Sequence, residues 1–94
     1  MRIVGRDKLY DFAGAHGDAR SWIENWIADT EAAKWRTPHD IKTLFASASF
    51  LAGNVVIFNV KGNRYRLEVQ VTYNTGVAVI RWVGSHAEYT KRVN

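Results

Sequence analysis

Two periodicities divide the chain. Through its second half, apolar and polar residues alternate. Tyr65, Leu67, Val69, Val71 and Tyr73 point one way, while Arg64, Arg66, Glu68, Gln70 and Thr72 point the other. A period of two is the signature of a strand with one wet face and one core face. Val55-Val56-Ile57-Phe58, just before it, is apolar on both faces, which predicts an internal strand covered by helices on at least one side. Gly62-Asn63 supplies a tight turn between the two, where positive φ is cheap. Asn74-Thr75-Gly76 predicts a three-residue hairpin loop, and Val77 to Val83 a further strand. Gly84-Ser85 ends that strand, and His86 to Arg92 reads as a short tail.

The first half carries the helical period. Met1 to Val4 suits a short strand, and Arg6 to Ala15 a helix with Leu9, Tyr10 and Phe12 as contacts. His16-Gly17 breaks it, and Asp18 is placed to cap the next helix. There Trp22, Ile23, Trp26 and Ile27 form one apolar stripe, the pattern of core packing or a partner interface. Thr37 before Pro38 marks a third helix start, with Ile41, Leu44 and Phe45 inward. Ala46 to Gly53 reads as a connection. The expectation is a single α+β domain over residues 1–94: an N-terminal strand plus a three-stranded antiparallel meander, with helices on one face.

Charge changes this picture. Residues 1–60 hold seven basic and seven acidic side chains, so they balance. Residues 61–94 hold Lys61, Arg64, Arg66, Arg81, Lys91 and Arg92 against Glu68 and Glu88, so the whole net charge of +4 lies there. A cationic sheet face favours an anionic partner. Arg64 and Arg66, two apart on one strand, would stand roughly 7 Å from each other. Two guanidinium forks at that spacing suit phosphate oxygens, and Lys61 adds a third cation at the turn. The chain has no cysteine, which excludes disulfides and thiolate metal sites. No stretch is apolar for the roughly 18 residues a membrane span needs, and Met1 to Gly5 is too short for a signal peptide. A soluble cytoplasmic protein is expected.

No two histidines stand at metal-ligand spacing, and no cofactor motif is present. His16 and His39 fall at helix boundaries and read as polar surface. His86 differs, because it follows the last strand where the charged face should end. Imidazole exchanges a proton near neutral pH. Tyr89 would share its side if a helical turn forms, and could stack on a base or donate to a phosphate. Lysine, arginine, histidine and tyrosine on one sheet are the inventory for metal-free phosphodiester cleavage. A base takes the 2′-OH proton, cations stabilise the phosphorane, and an acid protonates the leaving 5′-oxygen.

At these residues the chain resembles the HigB-type toxins. Phe58-Asn59-Val60-Lys61-Gly62-Asn63-Arg64-Tyr65-Arg66-Leu67 is similar to their FNIKGNKYRL signature, and Gly84-Ser85-His86-Ala87-Glu88-Tyr89 to their GTHAEYD segment. The resemblance covers residues 54–90 and is diffuse before them. It implies a RelE-like fold and a type II toxin–antitoxin role. It further implies an endoribonuclease that cuts mRNA on the translating ribosome, leaving a 2′,3′-cyclic phosphate, and is restrained by a HigA-type helix-turn-helix antitoxin. By the same resemblance Arg66 contacts the scissile phosphate and His86 holds the catalytic position after the last strand. Lys61, Arg64 and Tyr89 bind or orient RNA. Ser85 replaces a threonine, and Thr90 stands where the family often has Asp, so an acid there is lost. Strand parity groups Arg81 with Val79 and Val83, in a buried or edge role. Glu68 reads as a strand ion pair rather than a base.

Two other classes share the fold or the charge. ParE-type relatives poison DNA gyrase by protein contacts, and they tend to lack an Arg and His cluster on the sheet. A plain RNA-binding module would show surface aromatics, whereas Tyr65 and Tyr73 fall on the apolar face.

Overall fold

The computed structural model describes residues 1–93. The order of elements is β1 (Arg2–Val4), α1 (Arg6–Ala15), a 3-10 turn (Gly17–Ala19), α2 (Arg20–Ala32), α3 (Pro38–Leu44), β2 (Ser49–Leu51), β3 (Val55–Val60), β4 (Tyr65–Thr72), β5 (Val77–Ser85) and α4 (His86–Val93). The strands form one sheet in the order β1-β5-β4-β3-β2. β4 is therefore the central strand. Its alternation sets the two faces: Leu67, Val69 and Val71 are fully buried, while Arg66, Glu68 and Gln70 lie half-exposed on the other side.

The inner face is covered by α1, α2 and the segment through α3. Phe58 of β3 is the hub of that core. Its ring meets Trp26 edge-on at 5.5 Å and Phe45 edge-on at 5.1 Å, and stacks with Trp35 at 6.5 Å. Offset and edge contacts of this kind add to the area each ring buries. The tryptophan stripe is thus mainly core: Ile23, Trp26 and Ile27 are buried, with Trp22 half-buried against Phe45. At the start of α3 the Asp40 carboxylate accepts from the N–H groups of Arg36 and Thr37, at 2.9 and 3.2 Å, next to Pro38. That is the helix start the Thr-Pro pair predicts.

Several expectations need correction. Residues Ser49–Leu51 are a strand, not part of a connection; they pair antiparallel with Leu51 opposite Val55, which makes five strands. β1 joins the sheet parallel to β5. The expected tail is α4, which packs against β4 and β5 at one end of the outer face. Asp18 does not cap α2; Ala19 holds that position, and the carboxylate is used elsewhere. The β3–β4 turn puts its positive φ at Lys61 (53°) and Gly62 (68°), one residue earlier than Gly62-Asn63. The β4–β5 loop is four residues, Tyr73 to Gly76, closed by the Gly76 N–H on the Thr72 carbonyl.

Among the described residues two buried side-chain polar atoms have no hydrogen-bond partner, the Trp26 indole Nε1 and the Thr30 hydroxyl. Thr30 is fully buried on α2, and its hydroxyl makes no hydrogen bond. An orphaned buried hydroxyl costs about 1–3 kcal/mol, and valine has the same shape. Thr30→Val is expected to raise stability by about 1 kcal/mol, read as a higher midpoint in urea unfolding with an unchanged slope.

Candidate functional site

The site is built where β4 and β5 meet the start of α4. Arg66 on β4 stands opposite Asn59 of β3 and Gly84 of β5, so it faces outward as parity predicts. It is half-buried, and one guanidinium nitrogen lies 3.3 Å from the neighbouring Tyr65 carbonyl. Two residues beyond Gly84, the chain turns from β5 into α4 at His86.

A reciprocal cap fixes that turn. The Ser85 N–H donates to Glu88 Oε1 at 2.9 Å, and the Glu88 N–H donates to Ser85 Oγ at 3.1 Å. This is the capping box, Ser-x-x-Glu, satisfying two of the donors a helix start leaves free. The Ser85 N–H, with the Ser85 hydroxyl, holds the Glu88 carboxyl below its usual range. The His86 N–H donates to the Arg64 carbonyl at 3.0 Å, tying the helix start to the β3–β4 turn. His86 itself is exposed. The Thr90 hydroxyl donates to the His86 carbonyl at 3.0 Å and lies 3.4 Å from Nδ1.

Gly84 lets α4 lie down on the sheet. The Trp82 ring folds over it so closely that a Cβ there would stand 2.5 and 2.6 Å from two ring carbons. The Arg92 guanidinium sits 4.9 Å above the Trp82 ring and pairs with Glu68 at 2.8 Å. Cation–π attraction and a charge-assisted hydrogen bond therefore converge on one side chain. The Tyr89 ring lies 6.1 Å from the Trp82 ring. Glu68 is thus in an ion pair, but with Arg92 of α4 rather than with a residue of the strands.

The predicted residues separate into two groups. Arg66, His86 and Tyr89 belong to this one end of the sheet and to α4, with Lys61 exposed on the turn beside them. Arg64 does not join Arg66 in a two-arginine platform. It lies in the turn before β4, outside the strand's alternation, and pairs with Asp18 at 2.7 Å. The Tyr65 hydroxyl donates to the same carboxylate at 2.8 Å. That phenol, with Arg64 beside it, holds the Asp18 carboxyl below its usual range. His16 is not plain surface: its ring stacks on Phe12 at 4.1 Å and meets Tyr65 edge-on.

Arg81 shares the outer face with Val79, as parity groups them, but not with Val83, and it is exposed rather than buried. Glu68 pairs with Trp82 but Val69 pairs with Ile80, so Arg81 is the extra residue of a bulge. It is exposed, and donates to the Gln70 side chain at 2.7 Å on the outer face. Sequence reasoning missed Gly84, Trp82 and Arg92 as the parts that seat α4. The Ser85-to-Glu88 spacing was the available signal for that helix.

Two outcomes are expected. Gly84→Ala must displace the Trp82 ring; overpacking of this kind costs about 1–3 kcal/mol, and tryptophan near-UV circular dichroism should change with it. Because the Glu88 carboxyl is lowered, its cap contributes fully above the ordinary carboxylate range. That contribution disappears as pH falls through the lowered value. The melting temperature should therefore fall more steeply below about pH 4 in the parent protein than in Glu88→Gln.

A family model described as HigB_toxin, the RelE-like toxic component of a toxin–antitoxin system, matches residues 19–92 of the chain. No curated protein matches it significantly. The match spans α2 through α4 and includes Lys61, Arg64, Arg66, His86 and Tyr89, while Asp18 and His16 lie just before it. The chain belongs to the HigB toxin family of RelE-like toxin–antitoxin toxins.

Proposed function

We propose that this toxin is an endoribonuclease that cuts mRNA on the translating ribosome in the cytoplasm, without a metal ion, and is restrained by a HigA-type helix-turn-helix antitoxin. The observation that carries the reading is the placement of Arg66 and the exposed His86 on the same end of the sheet, within a family whose members are toxins. In this reading the 2′-OH attacks phosphorus, and its proton passes to a base. The 5′-oxygen leaves with a proton from an acid, and the product is a 2′,3′-cyclic phosphate. Arg66 is the group that stabilises charge on the phosphorane.

His86 acts as general acid or base. The Thr90 hydroxyl already donates to the helix carbonyl, so toward Nδ1 it can only accept. That favours a proton on Nδ1 and leaves Nε2 for substrate. Tyr89 and Lys61 orient RNA around this pair. Arg64 acts at one remove, since Asp18 occupies its guanidinium and its carbonyl holds the start of α4.

The experiment is mapping of mRNA 5′ ends after brief induction, with Arg66→Ala and His86→Ala in parallel. Losing a transition-state charge contact costs a factor of about 10²–10³ in rate. New ends within reading frames in the parent, lost in both variants with melting temperatures unchanged, are expected. Intact message with stalled DNA replication would move the toxin to the gyrase-poison class. RNA bound but never cut would make it a binding module.

A further inference from the structure

One lateral row of the outer face crosses all five strands. Val4 of β1 stands beside Val79 of β5, and Val79 beside Gln70 of β4. Gln70 stands beside Val55 of β3, and Val55 beside Leu51 of β2. Four of the five positions are aliphatic, over four strand spacings or roughly 19 Å. None of the four belongs to the helix-covered core. Val4 and Leu51, at the two ends, are 39% and 49% exposed, and Val55 and Val79 are half-buried. The open face of an antiparallel sheet is normally polar. α4 does not account for this row, because its contacts are with Glu68, Trp82 and Gly84, nearer the other end of the strands.

The charges around the row that have no ion-pair partner among the described residues are of one sign. Arg2 flanks it beside Val77, and Arg81 projects from the bulge next to it. Arg66 lies four residues along β4. None of these three has a carboxylate partner among the described residues, whose ion pairs are Arg6–Glu31, Arg64–Asp18 and Arg92–Glu68. The acids of this face, Glu68 and Glu88, are engaged by Arg92 and by the helix cap.

The complement of such a surface is an aliphatic stripe flanked by carboxylates. RNA fits it poorly, since bases are held by aromatic stacking and the row has no aromatic member. A second copy fits it poorly too, because a two-fold contact would bring its own Arg2 and Arg81 against the first copy's. We propose that this row is the docking surface for the toxin's antitoxin, engaged through an apolar segment bordered by Asp or Glu. The proposal rests on membership of a toxin–antitoxin family and not on the RNA chemistry proposed above.

The test is calorimetric titration of the cognate antitoxin into the intact toxin and into Leu51→Asp, Arg81→Glu and the double variant. Each single change should weaken binding by about tenfold or more, and Leu44→Asp, at an exposed position on α3, should not. Unchanged melting temperatures establish that the variants are folded, and Val79→Thr, smaller in effect, serves if Leu51→Asp does not fold. On expression, Leu51→Asp toxin should still arrest growth but no longer be rescued by antitoxin. Full affinity in the double variant would overturn the proposal. So would a toxin dimer dispersed by Leu51→Asp in sedimentation, or loss of RNA binding with antitoxin affinity intact. Calorimetry reads antitoxin binding whether or not the toxin cuts RNA, so the two readings fail separately.

Discussion

The strict alternation of β4 is the constraint on which the structure depends. It is the central strand, so its period of two is imposed on β3 and β5 by direct pairing. A slip of one residue would send Leu67, Val69 and Val71 to solvent and bring Arg66 and Glu68 into the core. The helix-covered core follows from the inner parity: Phe58 and its ring of aromatics, the stripe of α2, the docking of α1. On β4 itself the outer parity is left for polar side chains, Arg66, Glu68 and Gln70. Arg66 owes its position to the hydrophobic residues on either side of it more than to any contact of its own.

α4 turns that outer face from a plain sheet into a site. A helix of eight residues has little stability alone. Here it is held by a cap at its first turn, by the Trp82 ring lying over Gly84, and by Arg92 reaching back to Glu68. These contacts share residues, so they form and fail together. The backbone link from His86 to the Arg64 carbonyl extends the unit to the β3–β4 turn, and Asp18 connects that turn to the helical layer. The chemistry-bearing end of the sheet is therefore braced from three directions, which is what a preorganised site requires.

Much of this was legible because the relevant interactions are local. The meander follows from alternation and from turn residues, and Arg66 was placed outward by parity alone. What escaped has physical reasons. The parallel pairing of β1 with β5 joins residues more than 70 positions apart, and no local pattern encodes it. β2 is three residues long and exposed throughout, so it carries no periodicity. The bulge at Arg81 adds one residue to a run of strand formers and leaves no mark, yet it brings Trp82 to the outer face beside Arg81 and turns Val83 inward. Arg64 left the platform because the turn begins one residue early and ends the alternation before reaching it. α4 read as a tail because its apolar partner is on the preceding strand rather than within itself. The Ser85 and Glu88 pair nonetheless announced it.

The outer face then divides along the strands. At the α4 end its cations stand among hydrogen-bonding side chains, the setting that the proposed phosphodiester chemistry would use. At the other end the cations border aliphatic side chains, which offer a phosphate nothing and offer a protein segment both burial and charge. An exposed aliphatic row is an aggregation liability for a sheet whose edge strands are only three residues long. In the docking proposed for this row, like charge at Arg2 and Arg81 would disfavour a second copy and attract an acidic partner. Distinguishing a partner from a second copy and reaching it quickly are two demands on one surface. Charge satisfies both: it repels itself and accelerates encounter with its opposite.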